Sequence, residues 1–367
     1  MEELIVLEDS SKSNFGGGQR VTLDFIRSAL NYFDCIKVID STYFKKTIFT
    51  SKINSLNIEL YNILGSGYIS KRSTSSYSIS LKELALYPFV LLFNYLLLLN
   101  FVRRNSIAKT YYVATKKGLL LALLVAKKNE KILFHIHNSN STNFLGKVFK
   151  LLMRNPKIVN IAVSHYVKQT YNISNIKVVY NGVDSQEVFF RNFNTTKKIK
   201  VAFVGSLVKW KGVNYLLEAL EFLDELEVEI HVIGNGNLKD ELLTKYGADN
   251  RIFFRGFIDD IPKLLNEEID ILCLPSVDAE ACPMSILEAF SCGIPVVTTN
   301  IGGQAELVKF GGGIVVNPNS SIELANAIKL ISKDLSNFST MAKKVSVNYT
   351  LKQFDKSFDE IFSELGK

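Results

Sequence analysis

Short apolar runs alternate with helical patterns from one end of this chain to the other, and that alternation leaves few folds open. Runs of strand length, each followed by a stretch with helical periodicity, read as βαβ units that build parallel sheets. In the first half the predicted strands lie near Leu4–Leu7, Ile36–Ile39, Ile58–Ile63, Thr110–Ala114, Ile132–Ile136 and Ile161–Val163, with helices that include Arg20–Tyr32 and Lys117–Lys128. In the second half they lie near Lys200–Val204, Val228–Ile233, Ile252–Phe254, Ile269–Leu274, Val296–Thr298 and Gly313–Val316. The expected class is α/β, with two doubly wound Rossmann-like domains facing across a cleft and ligands at the carboxyl ends of strands. A chain of 367 residues, 47% hydrophobic and 22% charged, can fill two such cores. The boundary is expected near Val183–Lys197, where Asn, Lys and Thr collect without periodicity.

In the second half, Pro275-SVDAEACPMSILEAFSCGIPVV holds the densest chemistry. Ile269–Leu274 reads as strand and the stretch from Pro275 to Ala281 as loop. Cys282-Pro283 then opens a helix, with proline at the first helical position, where a missing N–H costs nothing. Gly293 closes that helix and Pro295-VVTT begins the next strand. The N–H groups of Met284, Ser285 and Ile286 are thereby predicted to point out of a helix N-terminus, favouring a phosphate by roughly 0.3–2 kcal/mol through the dipole. Glu280 stands in the loop before this anion site and Glu288 on the second turn after it. The layout suits a nucleotide diphosphate-sugar: diphosphate on the helix end, ribose hydroxyls on one of Glu280 and Glu288 and sugar hydroxyls on the other. Lys211 adds a cation just before Gly212 at a helix start. That position is unfavourable for a cation unless an anion is near.

Other chemistries fit less well. Gly234-Asn-Gly236 lacks the third glycine of a dinucleotide fingerprint, Lys239 standing in its place. No Asp-x-Asp occurs in the chain, so neither a metal nor any cofactor beside the nucleotide-sugar substrate is expected. Cys35, Cys273, Cys282 and Cys292 have no C-x-x-C spacing and read as small core residues of a reducing cytoplasm. Met1-EELIVLED begins directly on a strand pattern, so no secretory signal is expected.

The net charge of +7 hides an asymmetry: residues 1–185 hold 24 Lys and Arg against 11 Asp and Glu, while residues 186–367 hold 19 against 25. No recognition helix or ribonucleoprotein-type strand accompanies the basic residues, so nucleic acid is not an expected partner. An anionic membrane surface or an acidic acceptor fits better, placing the protein peripherally on the inner face of the plasma membrane. Leu84–Val102 is nearly long enough to span a bilayer, but a span would separate strands that should share one sheet. The segment is either a buried helix or one lying in the bilayer surface between Lys82 and Arg103-Arg104.

The spacing of Glu280 and Glu288 resembles the Glu-x7-Glu motif of retaining glycosyltransferases of the GT-B fold, family 4. Val204-GSLVKWKGVNYLLEAL is similar to that family's strand, glycine-rich turn and Lys-Gly helix start. Val232-IGNGNLKDEL, Val179-YNGVD and Thr298-TNIGGQAELV match further segments. In the first half, Asn14-FGGGQRV resembles the family's Gly-Gly loop and Phe134-HIHNSN its histidine-bearing strand end. The resemblance covers nearly the whole chain. It implies an acceptor-binding domain at 1–185, rejoined by a helix at about 351–367 that crosses back, and a donor-binding domain at 186–350.

It also implies roles. Lys211 holds the donor diphosphate, His137 contacts the donor sugar near the reacting carbon, and Gly16 and Gly17, with Gly18, bring a loop backbone close to the ligand. His135 shares a face with His137 and reads as a packed strand residue. Gly205, Ser206, Lys209, Gly234, Phe257, Met284, Ser285 and Ile286 complete the donor-side candidates. Ser206 occupies the place of a family arginine, and Lys209 is its candidate substitute. The implied reaction is retaining, metal-independent transfer of a hexose to a glycan acceptor, lipid-linked, in bacterial surface polysaccharide synthesis, with Glu280, His137 and Lys211 as the catalytic residues. A nucleotide-sugar epimerase of the same fold and a non-catalytic nucleotide-sugar-binding protein are the alternatives. The first would want further acid–base residues. The second is favoured by Ser206 and disfavoured by the joint presence of Lys211, Glu280, Glu288 and His137.

Overall fold

The structure, a computed structural model, describes residues 2–8, 16–40, 47–61, 81–103, 107–140, 144–184 and 198–366. The chain divides into two compact units, Met1–Tyr180 with Asp355–Lys367, and Asn181–Phe354. Most of the expected linker, residues 185–197, lies outside the described residues, as do Asn14, Phe15 and Arg104.

The first unit is built on β1 (Glu3–Glu8), β2 (Cys35–Asp40), β3 (Glu59–Tyr61), β4 (Lys109–Val113), β5 (Lys131–Ile136), β6 (Ile158–Ala162) and β7 (Ile176–Val178). They form one parallel sheet in the order β3-β2-β1-β4-β5-β6-β7, with Leu4 in register with Ile36 on one side and Thr110 on the other. Helices cover both faces, which is why β1 is apolar without alternation and Leu4, Ile5, Val6 and Leu7 are all buried. The Gly17–Ala29 and Ile48–Asn54 helices pack together, as do Leu81–Arg103 and Lys116–Val125. Right-handed crossovers put the first pair on one face of the sheet and the second pair on the other. The strand β7 was not expected from sequence, and its three residues are too few to carry a readable pattern.

The glycines at 16–18 do not form a loop. Gly16 is the N-cap of the first helix, and Gly17 and Gly18 make its opening turn. The final helix, Leu351–Glu364, contributes its residues from Asp355 onward to the first unit, as the fold class requires. Phe358, Ile361 and Phe362 recur at helical spacing and are buried. The Phe358 and Phe362 rings lie 5.0 and 6.1 Å from Phe25, and the Ser28 hydroxyl donates to Asp355.

The second unit has β8 (Ile199–Val204), β9 (Val228–Ile233), β10 (Ile252–Gly256), β11 (Ile271–Leu274), β12 (Val296–Thr299) and β13 (Gly313–Val316) in the parallel order β10-β9-β8-β11-β12-β13. Strand β11 starts two residues later than its apolar run, because Ile269 ends the preceding helix and the Asp270 carboxylate accepts the Lys200 N–H at 2.9 Å. The chain winds outward from β8 and then returns to build the other side from β11. That reversal leaves a crevice at the carboxyl ends of β8 and β11, the place where doubly wound sheets bind ligands.

Candidate active site

Two chain segments meet at the β8/β11 crevice. After β8, the chain makes a tight 3-10 turn at Lys209–Lys211 and enters the next helix through Gly212. Gly212 has φ 68°, and a methyl group there would sit 2.1 Å from the Pro275 carbonyl oxygen, so only glycine lets this turn lie against the loop after β11. The Val277 N–H donates to the Trp210 carbonyl at 2.8 Å and stitches the same two segments. On the other flank Gly234, at φ 136°, brings the turn after β9 onto the Gly205 carbonyl; a methyl group would be 1.8 Å from that oxygen.

The result is an ion pair at the crevice. Lys211 Nζ donates to Glu280 Oε2 at 2.5 Å, with both side chains largely buried. The ammonium also lies 4.8 Å from the Trp210 ring centroid, which adds a cation–π contact. Glu280 Oε1 accepts from the Ser276 hydroxyl at 2.5 Å. Its backbone is fixed as well: the Glu280 N–H donates to Gln304 Oε1 at 2.8 Å, and the Glu280 carbonyl accepts the Gly303 N–H at 2.7 Å. Gln304 is fully buried and donates from Nε2 to the Asp278 carbonyl at 3.3 Å and Thr299 Oγ1 at 3.4 Å. Glu280 is thus a carboxylate with both oxygens engaged and its loop locked from two sides.

The helix after this loop spans Met284–Ser291, and Pro283 is its N-cap instead of its first residue because ψ 120° keeps that residue extended. The Ile286 N–H donates to the Pro283 carbonyl at 3.2 Å, so of the three expected open donors those of Met284 and Ser285 remain at the helix end. Glu288 is buried on the second turn. Buried Asn181 donates from Nδ2 to the Cys282 carbonyl at 3.2 Å, and burial pushes the Cys282 thiol up to about 12.

The other candidates spread out. Ser206 and Lys209 are exposed on the turn that carries Lys211. Phe257 is exposed beyond the end of β10, an edge strand two places from β8, and is not brought to the ion pair. His137, Gly16 and Gly17 belong to the first unit. There the His135 and His137 rings lie side by side, 4.4 Å between centroids. His135 is buried and bonded through Nδ1 to the Tyr112 hydroxyl at 2.8 Å, and Tyr112 stacks on Phe25 at 3.7 Å. His137 stands just past β5, and burial holds its pKa down at about 4. Among the described residues no polar group meets its Nε2. Sequence reasoning missed Ser276, Gln304 and Thr299. Their only local signal was position, within a few residues of the ends of β11 and β12.

Residues 184–345 match the family model for glycosyl transferases group 1. Over these residues the chain is similar to that family. It is 30% identical over 178 residues to an uncharacterized glycosyltransferase of Methanocaldococcus jannaschii, covering 43% of this chain and 45% of that one. It is 25% identical over 257 residues to protein CapJ of Staphylococcus aureus, covering 63% and 64%. The chain therefore matches about half to two thirds of the length of these relatives. Among solved structures, Anabaena HepE in complex with UDP and glucose superposes with a TM-score of 0.75 at 23% identity, over 98% of this chain and 99% of that one. At this identity the likeness shows the fold, two Rossmann-like units as in GT-B proteins.

Proposed function

We propose that the protein is a retaining glycosyltransferase that moves a hexose from a nucleotide diphosphate-sugar to a glycan acceptor in bacterial surface polysaccharide synthesis. The observation that carries this reading is the Lys211–Glu280 pair at the β8/β11 crevice, next to the open end of the Met284–Ser291 helix. The donor diphosphate lies on Lys211 and the Met284 and Ser285 N–H groups, which stabilise the charge that grows as the diphosphate departs. Glu288 takes the ribose. Glu280 takes the sugar hydroxyls, a role that suits a carboxylate whose two oxygens are already held by Lys211 and Ser276 better than a nucleophile's would. With Glu280 held in this way, acceptor attack on the face the diphosphate leaves accounts for retention. His137 of the first unit is neutral above acidic pH because burial holds its pKa down, and we assign the acceptor to that unit.

Relatives of the chain support the substrate class: an O-antigen biosynthesis glycosyltransferase and a UDP-Gal:alpha-D-GlcNAc-diphosphoundecaprenol alpha-1,3-galactosyltransferase, both of Escherichia coli, are among them. The second of these points to a lipid-linked acceptor. We assign the charge-stabilising role to Lys211 and not to a divalent metal. The test is to incubate the protein with UDP-, GDP- and ADP-sugars and a bacterial lipid extract, then read the anomeric coupling constant of the product by NMR. Transfer with the donor's own anomeric configuration is expected. An inverted product would contradict retention, and an isomerised nucleotide-sugar without transfer would show an epimerase instead.

A further inference from the structure

The Leu81–Arg103 helix of the first unit turns an apolar face outward. Phe89, Leu92, Phe93 and Leu96 are 69%, 54%, 57% and 53% exposed, and they recur at the i, i+3, i+4, i+7 spacing of a single helical stripe. The opposite side of the same helix carries Asn94, Leu98 and Val102, all buried. A helix on the surface of a globular unit ordinarily shows water its polar side. Here two phenylalanines and two leucines stand in a row where polar residues belong, and a contiguous apolar patch marks a contact surface.

The neighbouring helices share the character. The Leu81–Arg103 helix packs against Lys116–Val125, whose Leu124 is exposed just before exposed Lys127 and Lys128. Lys116 Nζ lies 5.3 Å from the Phe149 ring centroid and so ties that helix to Phe144–Leu152, where Lys147, Val148 and Leu151 are exposed. From residue 81 to residue 157 the sequence holds 13 Lys and Arg against two Asp and Glu. One of those two, Glu130, is buried and accepts the Lys127 N–H at 2.8 Å and the Tyr111 hydroxyl at 3.3 Å. Lys109 is buried against Glu3 and Lys131 sits on β5, but exposed Lys127, Lys128 and Lys147 leave this layer apolar and basic together.

That combination chooses among occupants. A second copy of this chain would bring the same basic layer against itself in a two-fold interface. A nucleic acid would satisfy the charge and leave the stripe without a partner. An anionic bilayer satisfies both, because acyl chains take the apolar stripe and headgroups take the cations. The strands before and after this helix, β3 and β4, lie in one sheet and a span would separate them, so the contact is with the surface. We propose that this helical layer docks on anionic lipid, with the Leu81–Arg103 helix lying in the interface plane and Phe89, Leu92, Phe93 and Leu96 among the acyl chains. The proposal involves only the first unit and does not depend on the donor chemistry.

The test is sedimentation of the full chain with phosphatidylcholine vesicles, with and without one third phosphatidylglycerol, at low and high salt. Binding is expected to the anionic vesicles only and should fall by about tenfold as the Debye length shrinks toward 3 Å. Phe89→Ser with Phe93→Ser should reduce partition by roughly 30-fold, and Lys127→Ser with Lys128→Ser by roughly tenfold. Because these side chains are exposed, the thermal unfolding of the same samples should not change, which shows that the variants are folded. Were the phenylalanine pair to unfold the protein, Leu92→Ser with Leu96→Ser serves instead. Equal partition to both vesicle types, no partition to either, or undiminished binding by the serine variants overturns the proposal. A solution dimer that the phenylalanine pair dissociates would assign the face to a second copy and overturn it equally.

Discussion

Replacing Glu280 by glutamine should separate holding the nucleotide from transferring the sugar. The starting point is the 2.5 Å contact between Lys211 Nζ and Glu280 Oε2, whose side chains are 13% and 9% exposed. At that separation the gross attraction is about 6–7 kcal/mol for an effective dielectric constant of about 20. Desolvating two ions offsets most of it. Removing one partner of such a pair then costs about 3 kcal/mol, the low end for buried pairs, because Lys211 keeps some water and Glu280 keeps Ser276. Both Glu280→Gln and Lys211→Ala should thus lower the melting temperature of the second unit, by roughly 6–12 °C for a unit of its size. Their effects on ligands should be opposite. Lys211→Ala removes a charge-assisted bond to the diphosphate and should weaken nucleoside diphosphate binding by about 1.5–3 kcal/mol, or roughly 10–150-fold. Glu280→Gln leaves the cation in place and removes the anion that competes for it, so affinity should hold or rise by up to about tenfold. Turnover of the same variant should nonetheless fall by roughly 100-fold, since the sugar loses its positioning contact. Isothermal calorimetry with UDP, GDP and ADP, beside donor turnover on the same samples, makes the comparison. The assignment is refuted if Glu280→Gln loses diphosphate affinity tenfold while Lys211→Ala keeps it.

Three further outcomes follow from the same structure. Turnover with excess EDTA should equal turnover without it, and a loss that magnesium or manganese restores would contradict the role given to Lys211. Stability should fall as pH drops from about 6.5 toward 4, by up to about 1.4 kcal/mol per pH unit, because the unfolded chain protonates at His137 in a range where the folded one, held by burial to about 4, does not. His135, pushed down by burial and by His137, adds to the same slope, while above about pH 7 neither group contributes; thermal unfolding of His137→Asn should show a flatter profile between pH 4.5 and 6.5. Gly234→Ala should destabilise the second unit by about 3 kcal/mol or more, since the added methyl meets the Gly205 carbonyl oxygen at 1.8 Å on a backbone of φ 136°; an unchanged melting temperature would remove the close-approach explanation.

What could be read in the sequence was whatever repeats locally. Each buried parallel strand is a short apolar run, so β1, β2, β4 and β5 and all six strands of the second unit fall within a few residues of their expected places. The β11 loop and the helix at Met284 were legible because proline and glycine punctuate them. The partners of Glu280 were not. Gln304 reaches its backbone from beyond β12, 24 residues on, and Lys211 reaches its carboxylate from 69 residues back, after β8. Hydrogen bonds between loops brought together only by sheet order leave no period in the sequence. The glycines at 16–18 misled for a related reason: glycine marks a loop and a helix cap alike, and the helix starts at Gly17. The outward face of Leu81–Arg103 was ambiguous because the segment is apolar on nearly every side, and only burial distinguishes Leu98 from Leu96.

The central claim is that the second unit holds a nucleotide diphosphate at the β8/β11 crevice. Amide hydrogen exchange of the whole chain, with and without saturating UDP, GDP or ADP, tests it most directly because the readout is positional. With at least one nucleotide, slowed exchange is expected across Gly205–Gly212 and Met284–Glu288, with the Glu280 loop following as Lys211 changes partner. Protection confined to other segments of the second unit, or none with any of the three nucleotides, would contradict the claim.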